Sequence, residues 1–155
     1  MREILFRGKR VDNGEWVEGL LFIKYFQDIP HARYAIQYKT EYSAEEWRPD
    51  YMAAEVDPAT VGQFTGLTAN GKKIFEGDML KPFDDEIDKM VVEFHHGAFL
   101  LCLYGERGFM DENGERTCEG NYGVIECEPL SSYGDDVEVI GNIHDNPELV
   151  EAVRR

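Results

Sequence analysis

No apolar run in this sequence approaches the ~20 residues needed to cross a bilayer. The opening residues, with Glu3 followed by Arg7, Lys9 and Arg10, lack the apolar core of a secretory signal. No membrane association is expected, and a cytoplasmic location is. Cysteine is scarce as well. Cys102, Cys118 and Cys127 are odd in number and widely spaced, which fits neither a disulfide framework nor a paired Cys-x-x-Cys metal site, so reduced thiols are the expectation.

The motifs of catalysis are also missing. There is no serine nucleophile elbow and no phosphate-cradling glycine loop followed by lysine, and no pair of carboxylates is placed across a cleft by spacing alone. Adjacent His95 and His96 suggest zinc, but neighbours on a strand point to opposite faces, and His31 and His144 are remote in sequence. Cys118 and Cys127 lie among Glu119, Glu126 and Glu128, without the positive setting that favours a reactive thiolate. The sequence therefore assigns no catalytic residue, no metal ligand and no cofactor.

Positive charge is in short supply: the net charge is −15 over 155 residues. It is unevenly spread, because residues 1–81 carry 11 basic and 13 acidic side chains while residues 82–155 carry 5 and 18. Such a field keeps a chain soluble and opposes direct binding of nucleic acid, which relies on many Lys/Arg contacts to phosphate. Only Arg2, Arg7, Lys9 and Arg10 suggest a basic groove. The densest acidic segment is Asp84, Asp85, Glu86 and Asp88, which lacks the glycine and the distal glutamate of an EF-hand loop. It reads as a solvated loop or as a contact for a basic partner.

What the chain has in quantity is strand and turn chemistry. An apolar run ending at Phe64 and Leu67 is joined through Asn70-Gly71 to a second run, Ile74 to Leu80. Asn-Gly is the favoured pair for a two-residue hairpin turn, since both positions need φ > 0. The Glu76-Gly77-Asp78 interruption suggests a bulge or sharp bend where a small sheet curls toward a barrel. Asn13-Gly14 predicts a second hairpin between the Ile4, Phe6, Val11 run and the run from Trp16 to Ile23, and Asn113-Gly114 repeats the pair. Tyr34, Ile36 and Tyr38 alternate with Ala35, Gln37 and Lys39, the period of a half-buried strand whose rings pack into a core. Ser43 to Glu46 has the form of a capping box cut short by Pro49, and Asp57-Pro58 reads as a cap followed by proline at the first helical position. Met90–Phe94 and Ala98–Tyr104, the most apolar part of the chain, should dominate the core. Gly105 to Gly120 reads as a long loop or mobile hairpin, and Val137–Gly141 as the last strand. Asn146-Pro147-Glu148 starts a short helix that would lid the barrel.

Three ordered segments resemble the YopX-like family of bacteriophage and prophage proteins. They are Val61–Leu67 with Asn70–Asp78 in the centre, Arg2–Arg7 at the start, and Glu138–Leu149 at the end. The resemblance implies a mostly β fold, a pseudo-barrel in two subdomains capped by a helix, in the cytoplasm of a bacterial host, with no established activity and therefore no catalytic residue to carry over. Residues 24–55 and 83–134 carry no matching motif.

The fold expected is mainly β, a small pseudo-barrel of short antiparallel strands in two subdomains with a short C-terminal capping helix. It forms one domain over 1–155, with possible subdomains 1–60 and 61–155. The preferred function is a non-enzymatic phage or prophage accessory protein acting as a β-barrel interaction module, with an unidentified protein partner and a possible homo-oligomer formed through unpaired strand edges. The alternatives are a metal-dependent hydrolase or nuclease with an unrecognised carboxylate site, and an acidic mimic of nucleic acid that binds a basic partner through the Asp84–Asp88 loop.

Overall fold

The computed structural model describes residues 3–25, 32–40, 51–82, 90–110, 116–133 and 136–148, with the backbone alone for 105–110 and 116–126. Eleven strands are present among them: β1 (Phe6–Lys9), β2 (Trp16–Lys24), β3 (Arg33–Lys39), β4 (Tyr51–Glu55), β5 (Gly62–Ala69), β6 (Lys72–Phe75), β7 (Asp78–Pro82), β8 (Met90–His95), β9 (Ala98–Met110), β10 (Arg116–Pro129) and β11 (Val137–Asn142). They form two antiparallel sheets, in the orders β4-β3-β2-β1-β5-β6 and β10-β9-β8-β7-β11. The chain divides into two compact units, residues 1–66 and 67–155.

In the first unit the Asn13-Gly14 hairpin forms as the turn chemistry predicts, pairing Phe6–Lys9 with Trp16–Gly19. Only Gly14 takes a positive φ, at 73°, because the connection is four residues long and Arg10 N–H donates to the Glu15 carbonyl across it. Tyr34, Ile36 and Tyr38 do face the core, packing with Phe6, Val17, Leu21, Ala54, Val56 and Val61 around the fully buried Ile36. Asp57 caps a single 3-10 turn, Pro58–Thr60, its carboxylate accepting from Ala59 N–H at 3.0 Å.

The expected barrel does not close. β1 is flanked by β2 and β5 along Phe6 and Arg7, so both of its edges are already taken there. Past that point a lone bridge, Arg10 to Val56, links the end of β1 to the end of β4. One bridge is not a ladder, and the sheet stays open.

In the second unit, Asn70-Gly71 forms the predicted two-residue turn, with φ of 49° and 77°. The Glu76-Gly77 interruption is a turn between strands rather than a bulge within one. Gly77 sits at φ 83°, and the buried Asp78 carboxylate accepts from Phe75 N–H at 2.8 Å. β8 and β9 supply much of the main core, as expected, through Met90, Val92 and Leu101, together with Ala69, Ile74, Leu80, Leu130 and Val137. Met79 and Val91 turn to the other face and meet Tyr104, Ile140 and Ile143.

Gly105 to Gly120, read as a long loop or a mobile hairpin, is strand over its described residues, 105–110 and 116–120, which pair antiparallel as in a hairpin. Backbone pairing needs no side chain, and β9 and β10 continue through glycines by shifting register between Cys118 and Tyr122 and again between Val124 and Glu126. The C-terminal capping helix is not seen among the described residues. Asn146, read as its N-cap, has its side-chain oxygen turned back to accept from Asn142 N–H at 3.3 Å, and description stops at Glu148. The Ser43–Glu46 box, the Asn113-Gly114 pair and the Asp84, Asp85, Glu86, Asp88 loop lie outside the described residues.

Candidate functional site

The central and closing segments of the family resemblance meet inside the second unit. Asp78 of β7 pairs with Asn142 of β11, and Gly77 is clamped on both sides: its N–H donates to Val92 and its carbonyl accepts from Ile143 N–H at 3.0 Å. Asn142 then organises the turn that follows, its side-chain oxygen accepting from His144 N–H and Asp145 N–H, each at 2.9 Å, while its amide donates to Asp145 at 2.7 Å. These polar side chains hold backbone, which is a folding task.

Two other places carry chemistry. The first is the outward face of β1–β4. In antiparallel pairs, directly opposed residues share a face and alternate residues along a strand return to it. Arg7 opposes Glu18, Lys9 opposes Trp16, Lys24 opposes Arg33, and Lys39 opposes Tyr51. The face away from the Ile36 core thus gathers Arg7, Lys9, Lys24, Arg33 and Lys39 against Glu18 and Glu55. Its rings are Trp16, Phe22 and Tyr51, and Leu20 is 57% exposed among them. The guanidinium of Arg7 lies 4.8 Å and the ammonium of Lys9 5.5 Å from the Trp16 ring, and Lys24 stands 5.2 Å from Phe22. Arg33 reaches Glu55 at 3.4 Å in an exposed pair.

Of the cations singled out in the sequence, Arg2 lies outside the described residues, while Arg7 and Lys9 belong to this face. Arg10 is tied to Asp12 by two hydrogen bonds of 2.9 and 2.6 Å, which hold the Asp12 carboxyl below its usual range. Lys24, Arg33 and Lys39 stand well apart in the sequence, and the strand register brings them onto one face.

The second place is on the β8–β9–β10 sheet. Glu93 and His95 are two apart on β8, Cys102 opposes Val91 on β9, and Cys127 opposes Cys102 on β10. All four therefore share a face. Ligand atoms of Glu93, His95 and Cys102 lie within 4.8 Å of one another. Glu93 holds His95 Nε2 at 2.5 Å and accepts from the Tyr104 hydroxyl. Cys102 and Cys127, expected as free thiols, form a disulfide. Residues 25 apart meet because the register sets them opposite each other with Cα atoms 4.3 Å apart, near the spacing of a non-hydrogen-bonded antiparallel pair. His96, the other half of the histidine pair, is a turn residue at φ 52°.

Fold and surface together define a two-unit, all-antiparallel β protein that offers an open, cationic sheet face. The family model described as YopX protein matches residues 5–151, and the chain belongs to the YopX family. A search of curated proteins finds no match. No helix of the described residues is long and apolar enough to cross a membrane.

Proposed function

We propose that this protein is a non-catalytic binding module, in the phage or prophage setting that the family resemblance implies, and that the outward face of β1–β4 binds single-stranded nucleic acid. The observation that carries the reading is the charge of that face: five cations against two carboxylates, in a chain whose net charge is −15. A partner that binds there is selected for negative charge. Exposed Tyr51 and the rings of Trp16 and Phe22 add flat surfaces, and stacking on such surfaces tolerates any base. Arg33 and Lys39 are six positions apart on one strand, so the cations extend over about 20 Å at ~3.3 Å per residue. That length suits a few nucleotides, toward the low end of the ~4–16 covered by single OB-type folds.

This reading reverses the expectation from charge counting, because a global count averages over a surface that the fold segregates. Repulsion from the rest of the chain limits affinity, and binding should be weak and strongly dependent on salt. The test is fluorescence anisotropy of a labelled oligonucleotide of about 12 nucleotides against the wild type and the Lys24→Glu/Arg33→Glu/Lys39→Glu variant. Saturable binding at low salt that the variant loses supports the proposal. Absence of binding, or equal binding by the variant, removes it.

A further inference from the structure

The cluster on β8, β9 and β10 is independent of the cationic face and carries its own inference. We propose that Glu93, His95, Cys102 and Cys127 form a zinc site that the Cys102–Cys127 disulfide switches off. The donor set is one imidazole, one carboxylate and two thiols, four protein ligands of the kinds zinc takes in closed tetrahedral sites. Three of the four donor atoms already lie within 4.8 Å of one another, and the fourth, Cys127 Sγ, is bonded to one of them. The convergence follows from strand register, which places them on one face without any loop rearrangement. Tyr104 donates to Glu93 and so fixes the carboxylate that sits beside His95.

A disulfide cannot serve as a dithiolate ligand, so the two states exclude each other. The balance is simple. A dithiol reductant gives two electrons and two protons to the Cys102–Cys127 bond and becomes a disulfide itself, leaving two thiols on the protein. Binding of Zn²⁺ then replaces the two thiol protons, which leave to solvent. Oxidation by a disulfide of comparable potential runs the cycle back and expels the ion. Cys127 is exposed and Cys102 is fully buried, so a reductant attacks at Cys127. His95 and Glu93 lie at the surface beside it, which gives the ion a way in.

The experiment uses the full chain, reduced by a dithiol that is then removed under anaerobic conditions, and a parallel sample left oxidised. Each is titrated with Zn²⁺ alone, with Co²⁺ as a spectroscopic stand-in. The expected result is one ion per reduced chain, with thiolate-to-cobalt charge transfer and tetrahedral ligand-field bands, a raised melting temperature, and no such site in the oxidised chain. His95→Gln and Cys127→Ser, both at surface positions that leave the core untouched, should each weaken binding by at least about tenfold, the scale expected when a ligand or its support is lost. Cys118→Ser should bind like the wild type. The proposal is overturned if the reduced chain takes up no Zn²⁺, if the oxidised chain binds equally well, if His95→Gln binds undiminished, or if Cys118→Ser loses the site. Circular dichroism of each variant, matching the wild type, secures these comparisons against simple unfolding.

Discussion

Replacing Asp78 with alanine should destabilise the second unit without touching either surface described above. The Asp78 side chain is 1% exposed, and its carboxylate accepts from the backbone N–H of Phe75, itself buried, at 2.8 Å. Alanine leaves that N–H without its acceptor in a space closed to water, a loss of about 1–3 kcal/mol. One opposing effect must be weighed: removing a buried carboxylate also removes its desolvation cost. Asparagine separates the two, because it keeps an acceptor oxygen and drops the charge. For a chain of this length roughly 1 kcal/mol moves the melting temperature by ~2–4 °C, so a loss of about 2 kcal/mol is a fall of roughly 6 °C for Asp78→Ala. Asp78→Asn should melt closer to the wild type. The assay is thermal unfolding followed by circular dichroism, with hydrogen exchange at the amides of Gly77 and Ile143, which should lose protection because the clamp around Gly77 depends on the turn that Asp78 closes. An alanine variant that melts within about 1 °C of the wild type, with Gly77 still protected, would refute the reasoning that this polar element of the family motif holds backbone.

Gly19→Ala should be strongly destabilising for the first unit. A Cβ there would sit 2.8 Å from the carbonyl carbon of Gln37 and closer still to its oxygen, and a backbone on the neighbouring strand cannot swing aside. The expected loss is at least ~1–3 kcal/mol, read as a lowered urea midpoint. Asn142→Ala removes the acceptor of two backbone N–H groups and should lower stability by about 2 kcal/mol, checked in the same assay. Leu20→Glu, at a position 57% exposed on the cationic face, should leave the melting temperature unchanged and weaken oligonucleotide binding, because it adds a carboxylate where the cations gather.

Much of the fold was legible where local chemistry decides it. Asn70-Gly71 turns as its two positive φ values require, Asp57-Pro58 starts a helical turn, and the alternation of Tyr34, Ile36 and Tyr38 gave their buried face. What local chemistry does not decide was read less well. Closure of a barrel depends on which strand lies on each side of β1, and no pattern within a strand encodes its second neighbour. The glycines of Gly105–Gly120 left loop and hairpin both open because strand propensity is carried by side chains, whereas β9 and β10 are held there by backbone pairing.

The surfaces were hidden for the same reason. Once His96-Gly97 is taken as a two-residue turn, the hairpin register places Val91 opposite Cys102 and so puts Glu93 on the same face as that thiol. That part was within reach of the sequence. Cys127 was not, because two register shifts intervene before it meets Cys102. The cationic face needs two strand pairings at once, β1 with β2 and β2 with β3, before Lys9, Lys24, Arg33 and Lys39 share a surface.

The most direct test of the central claim is the salt dependence of oligonucleotide binding. If Lys24, Arg33 and Lys39 meet phosphates, log K should fall against log salt with a slope of about −2, from ~0.7 per phosphate contact on a single strand. The Lys24→Glu/Arg33→Glu/Lys39→Glu variant, folded to the same melting temperature, should show no measurable binding at low salt. A wild type that fails to bind at low salt, or a variant that binds with the same slope, would contradict the assignment of the β1–β4 face.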